Sequence, residues 1–368
     1  MQTTPRSVVI RSTSGVFEPR FVSAIKFLSD IPSDVSAITW SRTVTESQIV
    51  DPDDPWVFRA QADYGGGFKN YISHLKFMLY AYKTLTKINP NLVYACDLDT
   101  LIPSLVWGRK KSNLLIFDQF DPLSVKASNP IVSSLFNRLE LVLSKRANFR
   151  ITPNINRIGL NYTGEWIEIK NLFQIENSEN LVQSSSNSLK LFYGGVLSSD
   201  RGLIALSSAV TALPEWEFQI FGQGPELVRL QSLNNSRIMT KGLLDHKSLM
   251  KEAQGSDLYA ALYDPKFNHN KNTASNKLFE AAQLGIPLLA SRNTYLGELV
   301  GKHRLGWTVH YDDIQGIMGA LNSYKKMELR EKSEIKKNLQ DYFNDQLIAK
   351  RESLNKLFGE IKRALETR

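Results

Sequence analysis

Cysteine is almost absent from this sequence, with Cys96 the only one in 368 residues. No disulfide can form within the chain, which favours a reducing compartment, and we expect a cytoplasmic protein. No apolar run approaches the roughly 18–20 residues that cross a bilayer. Residues 1–15 are polar and charged, so we expect no signal peptide. These absences argue against a disulfide-stabilised secreted protein and against a chain with membrane-spanning helices.

Histidine is also scarce, with five residues scattered along the chain. Together with the single cysteine, they show no spacing that is typical of a structural zinc site. The sequence contains no Gly-x-Ser-x-Gly motif of the kind that carries the nucleophilic serine of α/β-hydrolases. Neither a structural zinc site nor a serine-hydrolase mechanism is therefore predicted.

Basic residues outnumber acidic ones, 45 against 37, which gives a formal net charge of +8 and a pI near 9.3. This excess implies an anionic partner, and nucleic acid, anionic lipid and phosphorylated substrates all qualify. Aromatic and basic residues do not alternate in a recognisable nucleic-acid-binding motif, so we expect no nucleic-acid partner. Charge alone does not choose between a lipid surface and a phosphorylated substrate.

Short apolar segments alternate with amphipathic ones, beginning at residues 7–12 and starting afresh at residues 189–193. This alternation predicts parallel sheets covered by helices, with ligands beyond the carboxyl ends of the strands. The polar residues 45–63 are predicted to form a loop. The fold class is therefore α/β, with two tandem Rossmann-like, doubly wound domains that face a central cleft and a C-terminal helical segment.

The domain boundaries follow from composition. Residues 176–188 are the most linker-like in the chain, so we place the first domain at 1–175 and the second at 189–330. Residues 331–368 have a helical composition with interspersed charges of both signs. We expect them to form helices that return to the first domain.

One stretch of the second domain is typical of a short helix with an unusual start. Ser275 is a favourable N-cap, and Gly285 and Pro287 favour the end of the helix. Lys277 falls in the first turn, where the helix dipole disfavours a cation. A bound phosphate would remove that conflict, and Glu280 on the same face would suit the hydroxyls of a ribose. An ordinary capped helix with an exposed ion pair explains the same residues equally well.

A second cation precedes another predicted helix of this domain. Gly194 and Gly195 follow a predicted strand, and Arg201 stands at the start of the helix predicted over residues 202–213. Two cations at two helix starts, both after strands of one sheet, indicate a bound diphosphate more strongly than either does alone. Residues 222–224 (Gly-Gln-Gly) are not a dinucleotide-binding fingerprint, because the third glycine is missing.

These residues resemble those of a known family, the retaining GT-B glycosyltransferases of the large family 4, which includes sucrose-synthase-like and mannosyltransferase-like enzymes. The resemblance is clearest over residues 189–321. It rests on motifs at strand ends and helix starts, namely residues 195–202, 221–225, 241–242 and above all 275–280 with 285–287. In the first domain, residues 97–103 and 117–121 also look like family segments.

The resemblance implies a site for a nucleotide-diphosphate sugar, which is a co-substrate, and no metal or other cofactor. Arg201 and Lys277 would bind the diphosphate, and Glu280 would bind the ribose hydroxyls. The loop at Leu243 and Leu244 would hold the base. Further donor contacts are predicted in nearby turns and at the helix start, at Gly15, Gly194, Gly195, Asn272, Thr273, Ser275, Asn276 and Leu278. The implied reaction is hexosyl transfer with retention at the anomeric carbon.

Two departures from the family pattern affect the donor side. Many members have a glutamate eight positions before Glu280, where this chain has Asn272. Contacts to the transferred sugar would then come from Asn272, Thr273 or backbone amides. Val196 replaces an arginine that many members carry after the first turn glycine, which leaves more of the charge to the other two cations.

A third departure affects the acceptor side, where Phe120 stands in place of a histidine found in many members. Asp99 and Asp121 are therefore predicted to orient the acceptor. Asp97 and Asp99 also fit a rival interpretation, the metal-binding Asp-x-Asp motif of a different glycosyltransferase fold. We disfavour it because that fold would not explain a second α/β series carrying two cations. Capping of the following helix explains Asp99 about as well as chemistry does.

We expect the partners to be a nucleotide sugar and a glycan or lipid-linked acceptor, in the synthesis of a cell-surface polysaccharide or glycolipid. Peripheral contact with the inner face of an anionic membrane is a further expectation, at residues 109–111 (Arg-Lys-Lys) and around residues 76–87. A core-facing helix with solvated lysines explains residues 76–87 at least as well. A nucleotide-sugar epimerase, a non-catalytic nucleotide-sugar binder and an inactive relative remain alternatives.

Overall fold

The computed structural model describes residues 5–14, 18–31, 33–42, 56–62, 68–109, 113–121, 130–158, 165–174, 188–272 and 274–367. The chain divides into two compact units. Unit 1 comprises Met1–Lys170 with Lys350–Arg368, and unit 2 comprises Asn171–Ala349. Of the linker predicted at residues 176–188, all but Ser188 lies outside the described residues. No described helix is long and apolar enough to cross a membrane.

Unit 1 is built on a parallel sheet of seven described strands: β1 (Arg6–Ile10), β2 (Asp34–Ser41), β3 (Val57–Arg59), β4 (Leu92–Cys96), β5 (Leu114–Asp118), β6 (Phe149–Thr152) and β7 (Ile167–Glu168). Their order in the sheet is β3-β2-β1-β4-β5-β6-β7. Every residue of β4 and β5 is buried, as expected for strands covered on both faces. The order reverses between β1 and β4, so a ligand is expected at the carboxyl ends of these two strands.

Helices cover both faces of this sheet: α1 (Pro19–Ser29), α2 (Phe68–Ile88), α3 (Leu98–Gly108) and α4 (Pro130–Ser144). On one face, α2, α3 and α4 contribute Phe77, Leu101 and Phe136 to a single apolar core. On the other face, α1 packs with Leu357 and Ile361 near the end of the chain. Pro19 occupies the first turn of α1, where its missing N–H costs no hydrogen bond.

Unit 2 repeats the same plan with six described strands: β8 (Leu189–Gly194), β9 (Trp216–Phe221), β10 (Ile238–Lys241), β11 (Leu258–Ala261), β12 (Leu288–Ser291) and β13 (Gly306–Val309). Their order is β10-β9-β8-β11-β12-β13, and all pairs are parallel. The reversal here lies between β8 and β11. Its position places the ends of those two strands at the expected ligand site of unit 2.

The helices of unit 2 are α5 (Leu203–Ala212), α6 (Leu227–Gln231), α7 (His246–Ala253), α8 (Asn268–Lys271), α9 (Asn276–Leu284), α10 (Tyr295–Lys302) and α11 (Ile314–Lys326). The last helix, α12 (Leu329–Glu366), belongs to unit 2 as far as Ala349 and to unit 1 from Lys350 onward. Two apolar cores, one on each face of the sheet, fill unit 2.

The predicted class of two doubly wound α/β units is confirmed by the two parallel sheets. The loop predicted at residues 45–63 was wrong in part, because it contains β3, a short strand at the edge of the sheet beside β2. The helix α10 was not predicted at all. Both corrections concern short elements.

Candidate functional site

Two glycine-containing loops meet at the carboxyl end of the unit 2 sheet. The N–H of Gly195 donates to the carbonyl of Phe221 at 2.9 Å, and the N–H of Leu197 donates to the carbonyl of Gln223 at 2.9 Å. A Cβ atom on Gly222 would stand 1.8 Å from the carbonyl oxygen of Gly195, and Gly222 has a φ of +145°. Only glycine satisfies both conditions. The close packing of the two loops therefore explains why residue 222 is a glycine, and no dinucleotide-binding role is needed.

Helix α9 begins and ends as the sequence predicts. The Oγ atom of Ser275 accepts a hydrogen bond from the N–H of Lys277 at 3.3 Å, and Gly285 adopts the left-handed conformation at φ 67°. The predicted N-cap and the predicted C-terminal glycine are confirmed. Lys277 thus lies in the first turn, and its side chain starts from the positive end of the helix dipole.

The Lys277 ammonium lies directly under the Gly195 turn. A Cβ atom on Gly195 would stand 2.8 Å from Nζ, and Nζ lies 4.9 Å from the centre of the Tyr193 ring. Lys277 is only 9% exposed. Burial lowers the pKa of Lys277, but Tyr263, Tyr193 and Glu280 act in the opposite direction, and the pKa lies above its usual value. Lys277 is therefore a buried cation at neutral pH.

No carboxylate of the described residues lies within ion-pair distance of the Lys277 Nζ. Glu280, the acid on the same helix, pairs with His246 instead. An unpaired charge away from water costs several kcal/mol in general. The position is consequently suited to an anion that the polypeptide does not itself supply.

Arg201 occupies a different local structure from the predicted one. It ends a 3₁₀ turn, Ser199–Arg201, and precedes Gly202, which is the N-cap of α5. The helix predicted from residue 202 begins one position later, at Leu203, so Arg201 lies just before the N-cap of α5. Its Nη1 atom donates to Asp200 Oδ2 at 2.6 Å and to Asn270 Oδ1 at 2.8 Å. Unlike Lys277, Arg201 is already paired with a carboxylate.

Two tyrosines bring these cations into one site. The guanidinium of Arg201 lies 4.6 Å from the centre of the Tyr263 ring, and the Tyr263 hydroxyl lies 2.5 Å from the Oγ atom of Ser275, the cap of α9. Burial raises the pKa of Tyr193 to about 12, against the fields of Lys277 and Arg201. The structure thus brings Arg201 and Lys277 together, while their predicted contact with a diphosphate stays a prediction.

Glu280 is held by two hydrogen-bonding neighbours that were not predicted. Its Oε2 atom accepts from the Tyr259 hydroxyl at 2.7 Å, and its Oε1 atom lies 3.4 Å from His246 Nε2. Burial raises the pKa of Glu280, but the His246 hydrogen bond and Lys277 outweigh it, so the pKa lies below its usual value. The ionised carboxylate can accept hydrogen bonds from hydroxyl groups of a ligand.

The remaining predicted donor residues divide by accessibility. Leu243 and Leu244 are exposed in the loop between β10 and α7, and Asn272 and Asn276 are exposed near the start of α9. Gly194 ends β8, where a Cβ atom would collide with the Leu249 side chain. Gly15 and Thr273 lie outside the described residues.

Leu278 requires a correction. Its side chain is fully buried in an apolar core, and its N–H donates to the carbonyl of Ser275 at 3.0 Å. Neither group is available to a ligand, because core packing and the first helical turn already use them. Leu278 therefore positions α9, in contrast to the prediction that it contacts the donor.

In unit 1, Asp97 connects the ends of three strands. Its Oδ1 atom accepts from the N–H groups of Phe120 at 2.7 Å and Asp121 at 2.8 Å, and its Oδ2 atom accepts from Arg11. The Asp97 side chain makes no cap hydrogen bond to α3. No group of three His, Cys, Asp or Glu side chains within the described ranges could hold a metal ion.

Asp99 lies at the start of α3 and is almost fully buried. Its Oδ2 atom accepts from His74 Nδ1 at 3.0 Å, and its Oδ1 atom has no hydrogen-bond partner among the described residues. Burial raises the pKa of Asp99, but the His74 hydrogen bond outweighs it and lowers the pKa to about 2. His74 was not predicted, because its contact with Asp99 links two residues that are 25 positions apart in the sequence. The Asp121 side chain is exposed.

Phe120 fills the space between two buried arginines. The guanidinium of Arg11 lies 4.6 Å, and that of Arg20 5.2 Å, from the centre of its ring. Arg20 in turn pairs with Asp118 at 2.6 Å. These contacts make Phe120 part of a buried charged network, which gives its side chain a structural role.

Comparison with known proteins identifies the architecture. No family model matches the chain, and no curated protein matches its sequence. Sucrose-phosphate synthase from Thermosynechococcus elongatus is similar over 98% of this chain and 99% of its own, with a TM-score of 0.71 and 14% identity. The chain has the GT-B fold.

Two further GT-B-like structures match with nearly complete coverage. HepE from Anabaena, in complex with UDP and glucose, matches 96% of this chain and 99% of its own, with a TM-score of 0.68 and 15% identity. A protein assigned as a UDP-N-acetylglucosamine 2-epimerase from Listeria monocytogenes matches 100% and 98%, with a TM-score of 0.62 and 12% identity. At such identities the similarity establishes the fold, and the function must be argued from the residues of this chain.

Proposed function

We propose that this protein is a retaining glycosyltransferase that moves a hexose from a nucleotide-diphosphate sugar to a glycan or lipid-linked acceptor. The observation that carries the proposal is the Lys277 side chain, a buried cation without a carboxylate partner among the described residues, set under the Gly195 turn. Such a charge is stabilised when a phosphate occupies the space beside it. Arg201, in the same site, adds a second cation for a diphosphate.

The chemistry of the proposed reaction requires little more from the protein than this charge. The bond between the anomeric carbon and the diphosphate oxygen breaks, and the acceptor oxygen bonds to the same face of that carbon. The acceptor proton passes to the departing diphosphate oxygen. Negative charge grows on the diphosphate, so cations fixed in advance lower the barrier. No protein nucleophile and no metal ion is needed in this scheme.

Donor recognition is assigned to the neighbouring groups of unit 2. Glu280, kept ionised and oriented by Tyr259 and His246, would accept hydrogen bonds from the ribose hydroxyls. The exposed loop at Leu243 and Leu244 would contact the base. HepE was solved with UDP and glucose, which makes UDP-glucose the first donor to test.

Acceptor recognition is assigned to unit 1, at the carboxyl ends of its strands. The buried Asp99 and the exposed Asp121 are the proposed carboxylates that orient an acceptor hydroxyl. The proposed setting is the synthesis of a cell-surface polysaccharide or glycolipid, in which an acceptor attached to lipid would require contact with a membrane.

The test is transfer from UDP-, GDP- and ADP-sugars to a panel of glycan and lipid-linked acceptors. We expect donor consumption that depends on the acceptor, insensitivity to chelators, and a product with the donor's anomeric configuration. Lys277→Met should lower turnover by roughly 10²–10³, since one electrostatic donor is removed. Lys325→Met, at an exposed lysine that pairs with Glu215, is the control and should keep native turnover. Native turnover in Lys277→Met would reject the proposal.

A nucleotide-sugar epimerase is the second candidate, because an assigned epimerase shares the fold over the whole chain. The two reactions differ in their need for an acceptor. Isomerisation of the donor in the absence of any acceptor would favour the epimerase, and binding without turnover would favour a non-catalytic nucleotide-sugar protein.

A further inference from the structure

Three helices of unit 1, α2, α3 and α4, form one layer on one face of the sheet. Their inner sides meet in the same core, through Phe77 and Leu85 of α2, Leu98 and Leu101 of α3, and Phe136 of α4. α3 packs against both α2 and α4. The three helices therefore present a common outer surface.

That outer surface is apolar to an unusual degree. It carries eight large apolar side chains that each expose between 39% and 64% of their area: Ile72, Leu75, Leu79, Tyr82, Val106, Leu135, Leu139 and Val142. Single exposed apolar residues are normal on soluble proteins, but a cluster of them marks an interaction surface. We call these eight residues the apolar face.

Every exposed charge on the described side chains of this layer is positive. Lys76, Lys83 and Lys87 lie on α2, Arg109 follows α3, and Arg138 lies on α4. Lys145 and Arg146 follow directly after α4 and are exposed as well. α2 contains no acidic residue, and the acids of the other two helices, Asp99 and Glu140, are buried.

The basic and apolar side chains form adjacent stripes. On α2, Leu75, Leu79 and Tyr82 follow the i, i+4, i+7 spacing of one helix face, and Lys76 and Lys83 lie one position further round. This is the arrangement of a helix that rests in a membrane interface, where apolar side chains enter the acyl region and lysines reach the headgroups.

We propose that the apolar face and its basic border dock unit 1 onto the surface of an anionic membrane. A second copy of the chain is a poorer occupant, because two such faces would bring positive charge against positive charge. A membrane with negatively charged headgroups satisfies both features of the surface at once, since it accepts apolar side chains and attracts cations. The inference goes beyond sugar transfer, and it does not depend on the donor site in unit 2.

The experiment is flotation of the full-length protein with vesicles, without any sugar nucleotide. We expect the protein to float with phosphatidylcholine vesicles that contain one third phosphatidylglycerol, and to remain unbound with phosphatidylcholine alone. High salt should weaken the binding, because headgroup attraction is screened. Failure of the native protein to bind the anionic vesicles would overturn the proposal.

Two double variants test the two features of the surface separately. Lys76→Glu with Lys83→Glu should weaken vesicle binding by roughly tenfold or more, since each basic residue near the surface contributes about fivefold. Leu75→Ser with Leu79→Ser should weaken it comparably by removing inserted apolar area. Leu75→Ser alone is the fallback if the pair unfolds, as judged by thermal unfolding.

Matched controls lie on α12, which is not one of these three helices. Leu329→Ser removes a side chain that is 84% exposed, and Lys362→Glu reverses an exposed lysine. Both should bind anionic vesicles as the native protein does. Equal effects of control and test variants would overturn the proposal. A dimer in analytical ultracentrifugation that the Leu75 and Leu79 changes dissociate would also overturn it, in favour of a second copy.

Vesicle binding also separates this inference from the proposed enzyme. Lys277→Met should lose sugar transfer and keep vesicle binding, whereas the Lys76 and Lys83 changes should keep transfer to a soluble acceptor. Loss of one property without the other shows which of the two proposals fails.

Discussion

The ammonium of Lys277 lies so close under Gly195 that a Cβ atom there would stand 2.8 Å from Nζ. Gly195→Ala should therefore displace the ammonium, which ends a flexible side chain, more readily than it moves the backbone. We expect at least a roughly tenfold loss of donor affinity, on the scale of one charge-assisted hydrogen bond. Calorimetric titration with the donor measures it.

The control for Gly195→Ala must separate displacement of Lys277 from backbone strain, because Gly195 has a φ of +142°. Gly255 has a φ of +85° and no heavy atom within 4 Å of its would-be Cβ, so Gly255→Ala carries strain alone. Both variants should lose about 1–3 kcal/mol of stability. Only Gly195→Ala should lose donor affinity, and a similar loss in Gly255→Ala would refute the displacement argument.

The Tyr263 hydroxyl is predicted to align the two cationic segments, since it bonds Ser275 while its ring lies under Arg201. Tyr263→Phe keeps the ring and removes the bond. We expect a loss of about 1 kcal/mol of stability and a severalfold weaker donor. Tyr324→Phe, which removes a hydroxyl that bonds Asp257, should cost similar stability without changing donor affinity. Unaltered donor affinity in Tyr263→Phe would contradict this role.

Asp99 should make folding sensitive to acid. Its pKa in the folded protein is about 2, below its ordinary 3.8, so the unfolded state binds a proton more readily. The ionised Asp99 carboxylate stabilises the folded state by about 2 kcal/mol in total. This stabilisation is fully present at pH values above the unfolded-state pKa of 3.8, and it is lost as the pH falls through the folded-state pKa of about 2. Urea unfolding between about pH 5 and pH 2 should show a shallower decline in Asp99→Asn than in the native protein. Asp121→Asn, at an exposed carboxylate, should keep the native decline.

His74 is expected to act through Asp99. His74→Phe retains a ring beside Trp40 but removes the donor to Asp99, leaving a buried carboxylate short of a hydrogen bond. We expect a loss of about 2–3 kcal/mol in the free energy of unfolding. Adding Asp99→Asn should recover part of that loss, because it removes the buried carboxylate charge that had lost its hydrogen-bond donor. A strictly additive double variant would show that the two residues are independent.

Local sequence chemistry was sufficient to predict α9, because its cap, its apolar face and its terminal glycine all lie within one short segment. The buried strands β4 and β5 were predictable for the same reason, as continuous apolar runs. β3 was not, since its three residues sit in a polar stretch and pair with β2 at the edge of the sheet. Its stability comes from a neighbour and not from its own composition.

In the candidate site, too, the residues with a local sequence signal could be predicted and those that meet only in the fold could not. Lys277 and Glu280 could be predicted because a cation at a helix start and a carboxylate on the same face are local signals. Tyr263, His246 and His74 could not, because each contacts its charged neighbour across a gap in sequence. Arg201 was identified for its charge, while its 3₁₀ turn and its pairing with Asp200 emerge only in the fold.

Calorimetric comparison of a nucleoside diphosphate with its nucleoside tests the central claim most directly, using whichever of UDP, GDP and ADP the native protein binds. The native protein should prefer the diphosphate, and Lys277→Met should lose roughly 10–100-fold of that preference while binding the nucleoside unchanged. An undiminished preference for the diphosphate in Lys277→Met would contradict the assignment of this buried cation to a phosphate.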